Sequence, residues 1–252
     1  MSTWVLLRGL AREARHWGGF ARDLQQRLPP GDQVLCVDLP GTGSLWHEPS
    51  PASVTGLVQA ARRELALLRS RAPYVLVALS LGGMVAREWA GRDPDVAASV
   101  LINTSLGGVA PFWQRLRPSS YPALLALARP GLALLPREQR ILRLTSNAPA
   151  QEEVAQQWTA IAATAPVSRL NVLRQLLAAA RYRPDGPARA PTLLLASTRD
   201  RLVSVECSRR LARAWNVPLR EHPSAGHDLP LDDPQWVADA IIRWHRGLFH
   251  AV

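Results

Sequence analysis

Short apolar runs alternate with longer amphipathic segments along the first hundred residues of the chain. Four runs rich in valine and leucine are typical of strands buried on both faces of a sheet. They occupy residues 4–7, 33–38, 74–79 and 96–102. Between them, residues 20–28 and 53–71 carry apolar side chains at helical spacing. This order of strand and helix predicts a parallel sheet with helices on both faces.

The alternation stops after residue 102 and resumes near residue 191. The intervening stretch contains four helical segments separated by prolines, at residues 121–129, 136–144, 151–163 and 167–180. Two more strands, at 191–196 and 218–222, and two more helices, at 203–215 and 234–249, complete the chain. We therefore predict an α/β core formed by residues 1–108 and 188–252. Residues 109–187 are predicted to form an inserted, all-helical lid over the carboxyl edge of the sheet.

The periodicity changes abruptly at Ser80. The apolar run before it predicts a strand, whereas Gly82 and Gly83 lead into apolar positions at helical spacing. A strand, a one-residue corner and a helix force the corner residue into a cramped backbone conformation that lifts its side chain clear of the sheet. The pattern thus predicts an exposed serine hydroxyl with the geometry of a nucleophile.

Composition sets the size class and disfavours several environments. A chain of 252 residues with 47% hydrophobic and 20% charged residues is ordinary for a soluble protein of one domain, with or without an insertion. No apolar stretch approaches the ~20 residues of a membrane span, and the N-terminus lacks a signal-peptide pattern. The two cysteines, Cys36 in a strand and Cys207 in a helix, form no disulfide framework. We expect a cytoplasmic protein that does not bind membranes.

The net charge of +10 arises without a single lysine, so every side-chain cation other than histidine is an arginine. Because these arginines are spread through all elements, biased genomic base composition explains them better than one binding patch does. An acidic partner stays the alternative. Motifs of nucleic-acid-binding folds are missing from the sequence, and we expect no nucleic-acid partner.

Three polar residues follow predicted strands in the chain order serine, acid, histidine: Ser80, Asp200 and His227. The carboxyl ends of parallel strands meet at one edge of a sheet, where binding crevices form. A serine hydroxyl needs a base to remove its proton, and a third group must hold that base in the correct tautomer. The other histidines are less suited by position: His16, His47, His222, His245 and His250.

With these residues, the sequence resembles the α/β-hydrolase superfamily over essentially its whole length. Residues 38–43 look like the superfamily's D-x-P-G-x-G turn, and Arg8-Gly9 stands where the usual His-Gly occurs. The resemblance implies the α/β-hydrolase fold, attack of a serine on an acyl carbonyl and an acyl-enzyme intermediate. It also implies Ser80 as nucleophile, His227 as base and Asp200 as its orienter. The oxyanion hole would be the backbone N–H groups of Leu10 and Leu81.

The sequence departs from the superfamily pattern at two positions. Ala78 replaces the first glycine of G-x-S-x-G, and alanine is small enough to let strand and helix approach closely. Arg8 replaces the histidine that normally braces the oxyanion loop. Two explanations for Arg8 are open: it neutralises a carboxylate, or it stiffens the loop by hydrogen bonding to Arg12-Glu13 or to residues 44–48.

The predicted lid carries the aromatic residues that we expect to bind substrate, namely Trp113, Tyr121 and Trp158, although packing between lid helices explains such residues equally well. The lid also contains ten arginines. In architecture and charge it resembles carboxylesterases that demethylate pimeloyl esters on acyl carrier protein, which implies an acidic carrier protein as partner.

We therefore expect a carboxylesterase-like serine hydrolase that acts on carboxylic esters of small to medium acyl chains. An esterase for esters bound to acyl carrier protein is the main alternative, and a thioesterase or lactonase would use the same three residues. A binding protein on the same fold is disfavoured, because binding alone requires neither a base nor an orienter. The sequence has no cluster with metal-ligand spacing and no dinucleotide or phosphate-loop motif, so we expect no metal and no cofactor.

Overall fold

The computed structural model describes residues 1–127, 129, 131–149 and 151–249. Six strands form one parallel sheet in the order β2-β1-β3-β4-β5-β6. They are β1 Thr3–Leu7, β2 Gln33–Val37, β3 Tyr74–Leu79, β4 Val96–Ile102, β5 Thr192–Ser197 and β6 Leu219–His222. The parallel sheet predicted from the alternation is confirmed. Strand order reverses between β1 and β3, and the crevice outside such a reversal point is where open α/β sheets bind ligands.

The described residues contain eleven α-helices. They are α1 Phe20–Arg27, α2 Val54–Leu67, α3 Leu81–Arg92, α4 Phe112–Arg115, α5 Tyr121–Leu127, α6 Leu134–Thr145, α7 Gln151–Thr164, α8 Arg169–Arg181, α9 Val205–Trp215, α10 Leu229–Asp232 and α11 Pro234–Phe249. Within the described ranges, none of these helices combines the length and the apolar composition needed to cross a membrane. The single-turn helices α4 and α10 were not expected, because one turn is too short to show a helical period.

Apolar packing on both faces of the sheet explains the continuous apolar runs of the strands. Side chains alternate between faces along a strand, so that Leu76 of β3 packs in one cluster with Trp89, while Val77 packs in the other with Phe20 and Ile241. Helices α2 and α3 cover the first face, and α1 and α11 cover the second. A strand covered on both sides has no polar face to present.

Helix α2 shows how local sequence sets the ends of an element. The Ser53 hydroxyl accepts a hydrogen bond from the Gly56 N–H at 3.2 Å and caps the helix, as its position predicts. The helix ends at Leu67 rather than near residue 71, as the pattern had suggested. Arg69, at φ 52°, has left the helical conformation.

Helices α4 to α8 all lie between β4 and β5, within the segment that the sequence predicts as a lid. Helices α6 and α7 share a small apolar cluster of Leu142, Ala155 and Trp158. The lid also buries polar side chains against the core, among them Glu138 and Gln175. It is therefore attached to the core by specific hydrogen bonds and ion pairs as well as by apolar contact.

Candidate active site

Ser80 occupies the corner between β3 and α3, with φ 56° and ψ −115°. This conformation is strained for a residue with a side chain, and the surrounding backbone fixes it. The Ser80 N–H donates to the Ile102 carbonyl at 2.9 Å, and the Gly83 N–H donates to the Ser80 carbonyl at 2.9 Å. The strand-to-helix corner expected from the change in periodicity is present at this serine.

The two glycines after Ser80 allow α3 to approach the ends of the neighbouring strands. A Cβ atom on Gly82 would lie 2.4 Å from the Leu7 carbonyl oxygen, and a Cβ atom on Gly83 would lie 2.7 Å from the Thr104 Cβ. Both distances are too short for a side chain. The N-terminus of α3 therefore lies against the ends of β1 and β4, and its first N–H groups have no intrahelical partner.

The β1 loop, residues 8–13, runs directly past Ser80. A Cβ atom on Gly9 would lie 3.2 Å from the Ser80 Cβ. The next residues form a tight turn, in which the Arg12 N–H donates to the Gly9 carbonyl at 3.2 Å and Ala11 has a φ of 54°. Leu10, one of the two predicted oxyanion donors, lies in this turn. Leu81, the other, is the first residue of α3.

Asp200 follows β5 and His227 follows β6, and their side chains are joined by a hydrogen bond. The distance from His227 Nδ1 to Asp200 Oδ2 is 2.7 Å, and both residues are buried. The second carboxylate oxygen accepts from the N–H groups of Leu202 at 2.7 Å and Val203 at 2.9 Å. Because a carboxylate only accepts, Nδ1 of the ring carries the proton and Nε2 is left to act as a base.

Asn103, just beyond β4, holds the two later loops together. Its amide nitrogen donates to the His227 carbonyl at 2.8 Å and to the Gly226 carbonyl at 3.2 Å, and its oxygen accepts from the Ser197 N–H at 2.8 Å. The sequence analysis assigns no role to this amide. A φ of 44° at Asn103 fits the tolerance of asparagine for left-handed backbone, but no local pattern announces the contacts.

The pKa of His227 is raised above the ordinary 6.5. Burial of the ring lowers this pKa, but the charge and hydrogen bond of Asp200 outweigh burial, and the charge of Asp228 adds to them. The nearby Arg8 cation acts in the opposite direction. The arrangement favours the protonated imidazole that would form when His227 takes a proton.

The structure joins Asp200 and His227 by a hydrogen bond. In the part of the chain that the structure describes, no hydrogen bond joins the Ser80 hydroxyl to the His227 ring. Such contacts are often long before substrate binds and tighten in the reacting complex. Ser80, Asp200 and His227 follow β3, β5 and β6, respectively, at the carboxyl edge of the sheet.

Arg8 pairs with Asp228, the residue after the predicted base. Its Nη1 lies 3.1 Å from Asp228 Oδ1, its Nη2 contacts the other carboxylate oxygen, and both side chains are buried. The guanidinium also lies 4.9 Å from the centre of the Trp17 ring. Of the two explanations that the sequence left open, neutralisation of a carboxylate is the one that the contacts support.

This geometry agrees with comparisons to known proteins. A model of the alpha/beta hydrolase family matches residues 4–240 of the chain. The chain belongs to this family. The match spans the core strands β1 to β6 and the intervening helical segment, so the resemblance seen in the motifs extends to the whole fold.

Relatives of this alpha/beta hydrolase include enzymes with different activities. This chain is 29% identical over 217 residues to the pimeloyl-[acyl-carrier protein] methyl ester esterase of Chromobacterium violaceum, and the match covers 84% of this chain and 83% of the relative. A non-heme bromoperoxidase described as putative, from Mycobacterium tuberculosis H37Rv, superimposes with a TM-score of 0.72 at 20% identity, covering 97% and 92% of the two chains. A thermophilic esterase from Thermogutta terrifontis has a TM-score of 0.72 at 21% identity, covering 98% and 90%. At these identities the solved structures show a shared fold.

The predicted substrate-binding aromatics of the hydrolase lie in different surroundings. Trp158 is buried and packs over Arg12 of the β1 loop, whose guanidinium carbon is 4.1 Å from the ring centre. Arg12 also forms an ion pair of 2.8 Å with Glu138 of α6. Trp113 and Tyr121, by contrast, lie on α4 and α5 with exposed side chains. Their role in substrate binding stays a prediction.

Two other histidines of the hydrolase, His16 and His222, have surroundings that suit structural roles. His16 is buried edge-on to the Trp158 ring at 5.1 Å, and its Nδ1 accepts from the Glu13 N–H at 3.1 Å. Burial first, and then the charges of Arg12 and Arg8, lower its pKa strongly, so the ring stays neutral. His222 lies in β6 as predicted, and its Nδ1 accepts from the Ala225 N–H at 2.9 Å. His250 lies outside the described residues.

Two aspartates precede the last helix and have different roles. Asp233 caps α11, because its carboxylate accepts from the Trp236 N–H at 2.9 Å. Asp232 instead accepts from the Gly226 N–H at 2.6 Å and from the Ser146 hydroxyl at 2.6 Å. Asp232 therefore connects the loop that carries His227 to the C-terminal end of lid helix α6.

Proposed function

We propose that this protein is a serine hydrolase that cleaves carboxylic esters of small to medium acyl chains through an acyl-enzyme on Ser80. The observation that carries the proposal is the buried hydrogen bond of 2.7 Å between His227 and Asp200 at the sheet edge where Ser80 forms its strained corner. A relative that is a methyl ester esterase supports the ester as the bond cleaved.

The reaction follows from the placement of these groups. The Ser80 hydroxyl attacks the ester carbonyl and gives its proton to His227 Nε2, while Asp200 holds the ring through Nδ1. The N–H groups of Leu10 and Leu81 stabilise the oxyanion, and each such donor contributes about 3 kcal/mol to lowering the barrier. His227 then protonates the departing alcohol. Water, activated by the same histidine, hydrolyses the acyl-enzyme and restores the Ser80 hydroxyl.

Removal of the Ser80 hydroxyl tests the assignment directly. Ser80→Ala should abolish hydrolysis of p-nitrophenyl butyrate and covalent labelling by a fluorophosphonate. Ser105→Ala provides a control, because Ser105 is another serine just beyond a strand end at this edge of the sheet, although Ser105 is buried and Ser80 is partly exposed. If Ser80→Ala keeps the wild-type rate, or if both variants lose activity equally, Ser80 is not the nucleophile.

A second candidate is an esterase for substrates carried on an acyl carrier protein, as the Chromobacterium violaceum relative favours. An acidic carrier would meet lid arginines that are free to bind it. Arg115 and Arg117 are poor choices, because they donate to the Ala179 carbonyl at 2.6 Å and to the Asp200 carbonyl at 2.9 Å. Three exposed lid arginines are better: Arg143, Arg181 and Arg183.

Charge reversal of these three arginines separates the two substrates. Substitution of all three by glutamate should slow turnover of a carrier-bound methyl ester while leaving p-nitrophenyl acetate hydrolysis unchanged, because the small ester has no charged carrier to dock. The carrier-dependent loss should shrink at high salt, which screens surface charges. Equal losses on both substrates would argue for damage to the lid rather than for carrier binding.

A further inference from the structure

Gln175 of α8 is a second buried lid side chain, besides Glu138, that contacts the β1 loop. This residue is only 1% exposed. Its Oε1 accepts a hydrogen bond from the Ala11 N–H at 2.9 Å, and its Nε2 donates to the Pro40 carbonyl at 3.4 Å. A single lid side chain therefore bridges the loops that follow β1 and β2, at the edge of the sheet where Ser80 lies.

The type of turn at residues 9–12 determines the direction in which the Ala11 N–H points. The turn runs from Gly9 to Arg12, and its third residue, Ala11, has a φ of 54°. A positive φ at this position is the type II pattern, which glycine normally supplies. Alanine disfavours it by about 1–2 kcal/mol. In the competing type I turn the peptide between Leu10 and Ala11 is reversed, so that its N–H points away from Gln175.

The hydrogen bond from Ala11 to Gln175 thus favours the strained form of the turn over the relaxed one. Leu10, the predicted oxyanion donor on this side, is the other central residue of the same turn. Its neighbour Gly9 lies against Ser80. Relaxation of the turn would change the backbone angles of Leu10 and strain the position of its own N–H, and a shift of that N–H by about 1 Å relative to the Ser80 hydroxyl would cost on the order of 100-fold in rate.

We propose that Gln175 is a positioning residue, which fixes the turn at residues 9–12 so that the Leu10 N–H is aimed at the oxyanion. The proposal rests on the proposed serine hydrolase function. Docking of the lid and formation of the oxyanion hole are then coupled, because Gln175 of α8 supplies the contact that holds the turn in its active form.

Asn171, one helical turn earlier on α8, provides a matched control. It is also buried, and its amide makes the same kind of bridge, accepting from the Ser50 N–H at 2.9 Å and donating to the Glu48 carbonyl at 3.0 Å. Both of its partners lie beyond β2, away from the β1 loop. Loss of either amide leaves one backbone N–H and one carbonyl without their lid partner, but only loss of Gln175 affects the turn beside Ser80.

The test compares Gln175→Met with Asn171→Leu, which replace each amide by an apolar group of similar shape. With p-nitrophenyl butyrate, Gln175→Met should lower kcat by about 10- to 100-fold with little change in KM, because the lost interaction acts on the transition state. Asn171→Leu should stay within about threefold of the wild-type kcat. Thermal melting should fall by similar amounts in both variants, which excludes loss of folding as the cause.

A second change tests whether Gln175 acts through the turn. Ala11→Gly, added to Gln175→Met, should recover part of kcat, because glycine adopts a positive φ without steric cost. Equal kcat values for Gln175→Met and Asn171→Leu, or no recovery with Ala11→Gly, would overturn the proposal. Failure of the serine hydrolase function would look different, since wild type and Ser80→Ala would then hydrolyse the ester at the same rate.

Discussion

The β1 loop carries two arginines that pair with buried carboxylates, and these carboxylates come from different parts of the fold. Arg8 pairs with Asp228, which follows β6 in the core, and both side chains are at most 4% exposed. Arg12 pairs with Glu138 on lid helix α6, where the exposed fractions are 12% and 2%. The Arg8–Asp228 pair connects two segments of the core, whereas the Arg12–Glu138 pair connects the core to the lid.

This difference predicts two kinds of instability from chemically similar changes. Removal of one partner of a buried pair leaves an uncompensated charge that is costly to keep away from water. In the core, the stranded charge reaches water only when the protein unfolds. At the boundary with the lid, we expect opening of the lid to expose the charge and to leave the sheet intact. The core pair should therefore control global stability, and the lid pair should control access to the site.

The largest effect on catalysis is expected in the core, at Asp200, which contacts the predicted base His227. Asp200→Asn should lower kcat by about 10³- to 10⁴-fold, because an amide no longer holds Nδ1–H of His227 and no longer stabilises the imidazolium. The pKa of His227 lies above 6.5, so kcat/KM of the wild type should rise with pH through a midpoint above that value. Because the Asp200 charge raises this pKa, the variant's midpoint should move to lower pH. An unchanged pH profile would contradict the pairing.

The next effect is on stability, at the core pair. Arg8→Met should lower the free energy of unfolding by about 3–5 kcal/mol, because Asp228 stays buried without its partner. Chemical denaturation monitored by tryptophan fluorescence measures this change. The double variant Arg8→Met with Asp228→Leu should regain much of the stability, since neither charge remains. If the double variant is no more stable than Arg8→Met, the loss comes from packing against Trp17 and not from the stranded charge.

The core could be predicted from sequence because its signals are local and repeated. Strands buried on both faces are apolar along most of their length, so the apolar runs identified β1 to β5 within a residue of their bounds. The corner at Ser80 was visible because a strand period gives way to a helix period around it. Asp200 and His227 followed from the rule that parallel strands end at one edge of the sheet.

The contacts between distant segments could not be predicted, because spacing along the chain carries no information about them. Arg8 and Asp228 are 220 residues apart, and the chain offers 20 carboxylates as partners. Gln175 and Asn171 look like ordinary polar positions of an amphipathic helix until the fold places them between the lid and the core. Both side chains are important because they are buried, and the sequence pattern of α8 does not show which of its polar positions are buried and which are exposed.

The smallest effect, and the sharpest contrast with Arg8, is expected at the lid pair. Glu138→Gln should cost about 1–2 kcal/mol, because glutamine still accepts from Arg12 and the cation keeps its contact with Trp158. The cost should appear as more frequent opening of the lid, since opening returns Arg12 to water. Hydrogen exchange should therefore quicken in α6 and α7 while β3 and β4 stay as protected as in the wild type. Exchange that quickens equally in lid and sheet would mean that the lid is not a separate opening unit, and the contrast between the two pairs would be lost.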